Sequence, residues 1–538
     1  MTTMTGGQAL VAALERQGLE VIFGLPGVQL DWLFDALYEA RERIAVIHTR
    51  NEQPTSYMAD GFARSTGKIA ACLVVPGPGV MNALAGLSTA YANNSQVLCI
   101  AGQIQSNLID KGHGLLHEVP YQLEMMRSAT KWAGRAASVQ EIPALVDEAF
   151  LQLRTGRPRP VEIEIPPDVL QASAEVTLRQ PAATGRPAGD PDLIEKAAKA
   201  LGQAKQPIIF SGGGVLQAAA WEPLRELAEM LQAPVLMSSE GKGAVSDRSY
   251  LAQSAVAGPD LLPQSDVVLV VGTRFLQPSS AKWGPKPEQT VIQIDVDPTE
   301  IGRNYPPTIG IEADAKLALQ ALVERVGKHN RKRESREQEL AALKERVNDR
   351  LFEVQPQASY AMAIRETIAD DDIVLAGMTQ VGYWSYAGFP VYEPRSFITA
   401  GFQGTLGFEF PTALGAQYGN PDRRVIAMSG DGGFLYNVGE LATAVKHNIK
   451  AITVVFNDQA YGNVRRTQRQ SFGGRVIASE LHNPDFVKLA DSFGLLGLRA
   501  QGPEGLRQSL KQALDHDGPV LIEVPVGEMP SVWGVLRP

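Results

Sequence analysis

An α/β fold of three successive parallel-sheet units is predicted, on three observations. Short apolar runs of strand length alternate with helix-period stretches along nearly the whole chain. Its 538 residues are too many for one ordinary core and suggest roughly three domains. Two stretches interrupt the alternation, a Pro-, Ala- and Gly-rich segment at 179–191 and a highly charged one at 328–350.

The first unit, 1–178, carries apolar runs at 21–23, 45–47, 69–75, 97–100 and 161–165. Residues 7–18 read as an amphipathic helix, and no basic region followed by a long apolar core precedes them, so no secretory signal is expected. Cys72 and Cys99 are the two cysteines and both sit in apolar runs. They read as core residues rather than a disulfide framework or metal site, and a cytoplasmic location is expected. The second unit, 190–327, has strands at 207–210, 235–237, 267–271 and 291–294. In the connector, 328–358, Leu340, Leu343 and Val347 are spaced along one side of a helix among interleaved acids and bases, which predicts a solvated helix. The third unit, 359–538, resembles the first in organisation and size.

A hydrophobic share of 44% and a charged share of 20% are those of a soluble globular protein. A net charge of −9 argues against nucleic acid, and no segment has the apolar length of a membrane span. Small-molecule chemistry is favoured.

The chemistry concentrates in the third unit. Ser429-Gly430-Asp431-Gly432-Gly433 follows one apolar run and Phe456-Asn457-Asp458-Gln459-Ala460-Tyr461-Gly462 follows the next. That spacing is a strand-helix-strand unit with polar groups at the carboxyl ends of both strands, where open parallel sheets bind ligands. Asp431 and Asp458 can supply hard oxygens and the Ala460 carbonyl a third, as magnesium requires. Gly432 and Gly433 admit a phosphate close to the backbone. A tight turn with a capping aspartate is the alternative for Gly430-Asp431-Gly432 alone.

The pair resembles the thiamine diphosphate motif of the family containing acetolactate synthase, pyruvate oxidase, benzoylformate decarboxylase and benzaldehyde lyase. The resemblance spans nearly the whole chain and implies aminopyrimidine-binding, central and diphosphate-binding domains in that order. It also implies a site between two subunits, in a homodimer or homotetramer. Asp458 stands where the family has a metal-binding asparagine. Gly377-Met378-Thr379-Gln380 is placed to hold the outer phosphate. Gly401-Phe-Gln-Gly404-Thr-Leu406-Gly407-Phe-Glu-Phe-Pro411 resembles the loop whose large apolar residue, here Leu406, wedges beneath the cofactor.

Glu52, followed by Ala59-Asp-Gly-Phe-Ala-Arg64, resembles the glutamate that contacts the pyrimidine N1′, although Asn51 replaces the expected histidine. The role implied is proton exchange at N1′, so that the imino nitrogen can remove the C2 proton. The loop 24–29, ending in Gln29, resembles the segment covering the reacting face. Val75-Pro-Gly-Pro-Gly79 occupies the place of a catalytic histidine in benzoylformate decarboxylase-like members. Leu116-His117-Glu118 stands where synthases have Phe-Gln-Glu, which makes His117 and His113 pocket candidates able to relay a proton.

The resemblance thus implies thiamine diphosphate and Mg²⁺, with a 2-oxo acid, aldehyde or acyloin as substrate. An acetolactate synthase-like reaction leads, with an acyloin lyase or a simple decarboxylase as alternatives. A non-catalytic subunit is disfavoured because Glu52, Leu406 and Asp431 are all present. Flavin adenine dinucleotide stays open. Ser211-Gly-Gly-Gly214, Gly272-Thr-Arg-Phe275 and Asp295-Val-Asp-Pro298 resemble parts of a flavin domain, but Leu276-Gln-Pro-Ser-Ser280 replaces its continuation. The apolar tail 529–538 is expected either to cover the site or to dock on the surface.

Overall fold

The three predicted units are three six-stranded sheets in a computed structural model that describes residues 2–276 and 284–536. The first sheet runs Ala45–His48, Val21–Gly24, Ala70–Val74, Val97–Gly102, Val161–Ile165 and Trp132–Arg135, all parallel. The third runs Phe397–Thr399, Ile373–Ala376, Val425–Gly430, Ile452–Asn457, Val520–Pro525 and Leu496–Arg499, also all parallel. Numbered by chain appearance, both have the order 2-1-3-4-6-5. The central sheet is parallel too, with Ala252–Ser254, Val235–Met237, Pro207–Ser211, Val267–Val271, Thr290–Asp295 and Ile309–Glu312 in the doubly wound order 3-2-1-4-5-6.

Most inner strands are buried on both faces and read as unbroken apolar runs, as in Val267–Val271, whereas Val161–Ile165 buries Glu162 and Glu164 within its run. Edge strands have one unpaired side and, apart from Ala45–His48 with its expected run at 45–47, carry no such run. Trp132–Arg135, Ala252–Ser254, Ile309–Glu312, Phe397–Thr399 and Leu496–Arg499 are all edges of three or four residues, and none was predicted. A separate antiparallel pair, Thr2–Thr5 with Ser173–Val176, was not predicted either.

Two features lock the units together. The helices Glu52–Thr66 and Glu409–Gly419 cross with their backbones in contact at Gly61 and Gly415. Arg64, almost fully buried, donates to Asp60 of its own helix at 3.5 Å, to Glu240 of the central unit at 2.7 Å and to the Thr399 carbonyl of the third at 2.7 Å.

The connector is a helix, Glu337–Phe352, exposed along its charged sides and docked by the stripe Leu340, Leu343, Val347 and Leu351, which is buried. Lys344 holds the Ser249 carbonyl at 2.9 Å, and the Trp384 indole donates to the Leu351 carbonyl at 2.7 Å. Charge on three sides and an apolar stripe on the fourth is the pattern of a docked amphipathic helix. Among the described residues no helix is long and apolar enough to cross a membrane.

Candidate active site

The 2-1-3 start of the first and third sheets puts a change of winding direction between strands 1 and 3, and ligands bind outside the carboxyl ends of strands at such points. In the third sheet those ends carry Gly377–Gln380 and Gly430–Gly433. In the first they carry the 24–29 loop and Val75–Gly79.

Asp431 opens the short helix Asp431–Phe434, with Gly430 as its N-cap, and is 2% exposed. Burial raises its pKa. The Asp458 side chain accepts from the Ala460 amide at 3.1 Å. Its pKa is pushed up to about 6, first by burial and second by the Asp431 charge, so the two carboxylates confront one another. Ala460 pairs with Glu480 across an antiparallel bridge closed by Tyr461 N to Ser479 O at 2.9 Å and Leu481 N to Gln459 O at 2.8 Å. In that register the Ala460 carbonyl faces away from the bridge. Among the described residues no three His, Cys, Asp or Glu side chains form a metal cluster, so a backbone oxygen is needed to complete a protein ligand set. Two facing carboxylates and a free carbonyl fit a hard divalent cation whose other positions go to phosphate and water. We predict that Asp458→Asn, which keeps the oxygen and removes one of the repelling charges, retains Mg²⁺-dependent thiamine diphosphate binding within about tenfold. A fluorescence titration that finds binding abolished would refute this.

The glycines around these acids are sterically required. A Cβ at Gly462 would lie 2.3 Å from the Asp458 carboxylate, and one at Gly432 would lie 2.7 Å from the Tyr461 ring. At Gly433 it would reach the Gly407 amide at 3.0 Å, and at Gly377 the Met428 carbonyl at 2.3 Å. Gly404 turns at φ +58°. Beyond Gly404, Leu406 is 36% exposed, standing clear of the core rather than buried in it. Met378 is half-buried and Thr379 buried. The Gln380 amide oxygen accepts both Arg466 Nη1 and Nη2 at 3.2 Å, which leaves its NH₂ as the group that could donate to a phosphate. Arg466 in turn holds the Met529 carbonyl at 3.0 Å. The tail therefore docks on the third unit, with Trp533 against Tyr383 at 5.2 Å. Pro538 and its neighbour 537 lie outside the described residues.

In the first unit, Glu52 is the first residue of its helix and half-buried, with Asn51 as N-cap. Its carboxylate accepts from Asn82 at 2.9 Å. A Cβ at Gly79 would lie 3.5 Å from the Glu52 Cγ, and one at Gly77 2.4 Å from the His117 carbonyl. Gln29 is buried and donates to the Leu116 carbonyl at 3.1 Å, while its oxygen lies 2.9 Å from His117 Nδ1. An amide oxygen only accepts, so His117 carries its proton on Nδ1 and, when neutral, leaves Nε2 as an acceptor. Glu52, Gln29, the 75–79 loop and His117 thus form one wall. His113 is not part of it: it lies on an exposed stretch where its backbone amide faces the Glu118 carboxylate.

Sequence reasoning missed Asn82, Asn483, Arg466 and Glu409. Glu409 is fully buried beneath the glycine loops and accepts from Ser429 Oγ at 2.6 Å, and its Oε2 has no partner. It lay inside a quoted motif, where an acid among Phe408, Phe410 and Pro411 was the available signal. Burial pushes its pKa up to about 7. A raised folded-state value means stability that is full below the unfolded carboxyl range and lost as pH rises through 7. We predict that this group removes on the order of 3 kcal/mol between pH 5 and 8, and that Glu409→Gln flattens that part of the profile. The check is the Tm of the cofactor-free protein across this range, and identical wild-type and variant profiles would overturn it.

The segments resembling a flavin domain line a cavity of about 630 Å³ between the units, together with Trp533 and Leu536. Their glycines are explained by backbone packing, since a Cβ at Gly212 would lie 2.4 Å from the Gly272 carbonyl and one at Gly214 2.7 Å from Gly272 Cα. They give no support for flavin. Residues 277–280 of the replaced continuation lie outside the described residues.

Comparison with known proteins agrees with this layout. The thiamine pyrophosphate enzyme N-terminal TPP binding domain matches residues 4–125, the central domain 194–322 and the C-terminal TPP binding domain 376–524. The chain is 34% identical to the probable acetolactate synthase large subunit of Methanocaldococcus jannaschii, covering 98% of this chain and 93% of that one. It is 32% identical to the probable acetolactate synthase large subunit of Methanococcus aeolicus, covering 97% and 92%. It is 33% identical to the probable 2-ketoarginine decarboxylase of Pseudomonas aeruginosa, covering 97% and 94%. With all three domains matched in order and such relatives along nearly its full length, the chain belongs to the thiamine pyrophosphate-dependent enzyme family.

Proposed function

We propose that this enzyme is an acetolactate synthase-like carboligase that decarboxylates a 2-oxo acid and joins the remaining carbon fragment to a second carbonyl, using Mg²⁺ with thiamine diphosphate. The observation that carries the reading is the His117–Gln29 pair on the Glu52 wall, with His117 Nε2 left as an acceptor. The cofactor, when bound, supplies the nucleophilic carbon and the electron sink shared by this family's reactions. Asp431, Asp458 and the Ala460 carbonyl would hold the metal, and Gly377–Gln380, Gly404 and Gly430–Gly433 would bring donors and backbone up to the diphosphate. Tyr461 and Gly462 keep Asp458 in place. Glu52 would exchange a proton with the aminopyrimidine ring, and Leu406 would pack against the cofactor. His117 Nε2 takes and returns the hydroxyl proton of the substrate carbon, with Gln29 fixing the ring. A site completed by a second copy is part of the same reading. We accordingly place the enzyme in the cytoplasm as a homodimer or homotetramer, with domain limits 1–178, 190–327 and 359–538 and the connector 328–358 between the last two.

A plain decarboxylase is the second reading, favoured by one observation besides the decarboxylase relative. Glu118 is spent on its own loop, accepting from the Gly112 amide at 3.0 Å and the Leu115 amide at 2.8 Å, so it is not free to meet an acceptor substrate. Turnover of pyruvate by protein reconstituted with Mg²⁺ and thiamine diphosphate separates the two. Two pyruvates losing one carbon dioxide give acetolactate and carbon dioxide one to one. Acetaldehyde in place of acetolactate establishes the decarboxylase. No turnover sends the assay to longer and aromatic 2-oxo acids and to acyloins.

A further inference from the structure

Behind Asp431 runs a chain of hydrogen bonds through Asn483, Glu523, Arg499 and Asp485, residues outside both motifs, which the backbone between Asp485 and Asn483 closes into a ring. Asn483 Nδ2 donates to Asp431 Oδ2 at 2.6 Å and to Asn457 Oδ1 at 2.9 Å. Asn457 Nδ2 donates to Glu523 Oε1 at 2.8 Å, and Arg499 Nε donates to Glu523 Oε2 at 2.9 Å. Arg499 Nη2 then reaches Asp485 at 2.8 Å, two residues from Asn483, where Asp485 caps the helix Phe486–Phe493. Asn457 and Glu523 are buried.

Chemistry fixes the orientation of each amide in this ring. Glu523 is paired with Arg499 and so accepts, which makes Asn457 present its NH₂ to Glu523 and its oxygen to Asn483. Asn483 then faces two acceptors, Asn457 Oδ1 and the Asp431 carboxylate, and only its NH₂ can serve both. Its own Oδ1 is left buried without a partner, at a cost of about 1–3 kcal/mol. A side chain placed only to anchor its loop would rotate to satisfy that oxygen. This one is held by Asp431.

We propose that Asn483 is a positioning residue for the divalent cation: by occupying Asp431 Oδ2 from behind, it turns the other carboxylate oxygen toward the metal and holds it there. The proposal rests on the reading of Asp431, Asp458 and Ala460 as the metal ligands. Groups that orient a metal ligand in this way are worth about 10–100-fold in metal affinity.

The test is a Mg²⁺ titration at fixed excess thiamine diphosphate, read by intrinsic fluorescence, on the full-length protein. Asn483→Ala, and the milder Asn483→Ser should the first fail to fold, are expected to raise the half-saturating Mg²⁺ concentration about 10–100-fold. Gln468→Ala is the comparison. It loosens the same segment, since Gln468 bonds Ile477 and Ser479, without touching the ring. A half-saturation within about twofold of wild type for both Asn483 variants overturns the proposal, as does an equal shift in Gln468→Ala. Binding of the cofactor by wild type without any divalent cation overturns the metal reading and this proposal together.

Discussion

Glu52→Gln is expected to lower kcat by about 10²–10⁴ while leaving cofactor affinity nearly unchanged. Glutamine keeps the shape of the side chain and can still donate or accept a hydrogen bond, but it cannot exchange a proton. The Asn82 contact at 2.9 Å survives, because a glutamine oxygen accepts from the Asn82 amide as the carboxylate does. Folding is therefore untouched at this position, and the loss is one of chemistry. In free-energy terms it is about 3–5 kcal/mol of barrier, the scale of one positioned acid or base. The direct measurement is hydrogen–deuterium exchange at C2 of the bound cofactor. Exchange slowed in parallel with kcat supports the role, and exchange at the wild-type rate sinks it. A companion variant, Asn82→Ala, separates charge from position: it leaves the carboxylate and removes its holder.

The parts of this site that could be read from the sequence are those whose chemistry is local. Asp431, Asp458, Gly432 and Gly462 announce themselves because a carboxylate and a glycine at the end of an apolar run already imply a ligand at a strand's carboxyl end. Most inner strands were equally legible, being buried on both faces, although Val520–Pro525 was not picked out. Edge strands such as Leu496–Arg499 were not, although that one carries the arginine that closes the ring behind Asp431. Asn483 sits in a loop of no periodicity, and its importance depends on contacts with residues 26 and 52 positions away. His117 and His113 looked alike as sequence. What distinguishes them is Gln29, 88 positions from His117 and invisible as its partner until the chain is folded.

Gly415→Ala is expected to be the most damaging single methyl group in the protein outside the chemistry. The helices Glu52–Thr66 and Glu409–Gly419 cross so closely that a Cβ at Gly415 would lie 1.9 Å from the Met58 carbonyl oxygen, and one at Gly61 2.0 Å from that of Thr412. Both obstacles are backbone atoms inside helices and cannot swing aside. The helices must separate, and the buried side chains packed between them, Tyr57, Met58, Phe62, Phe410 and Leu414, lose contact. Overpacking against fixed backbone costs about 3 kcal/mol or more, and in domains of this size that lowers Tm by about 6–12 °C. Gly527→Ala, where nothing lies within 4 Å, is the matched control and should leave Tm unchanged. The same two helices begin at Glu52 and at Glu409, three residues after Leu406. Separating them moves Glu52 of the first unit and the Leu406 loop of the third, so on the proposed roles of both, cofactor affinity should fall together with stability. A Gly415→Ala protein with wild-type Tm would show that the crossing can open without penalty, and the close approach would then have no energetic role.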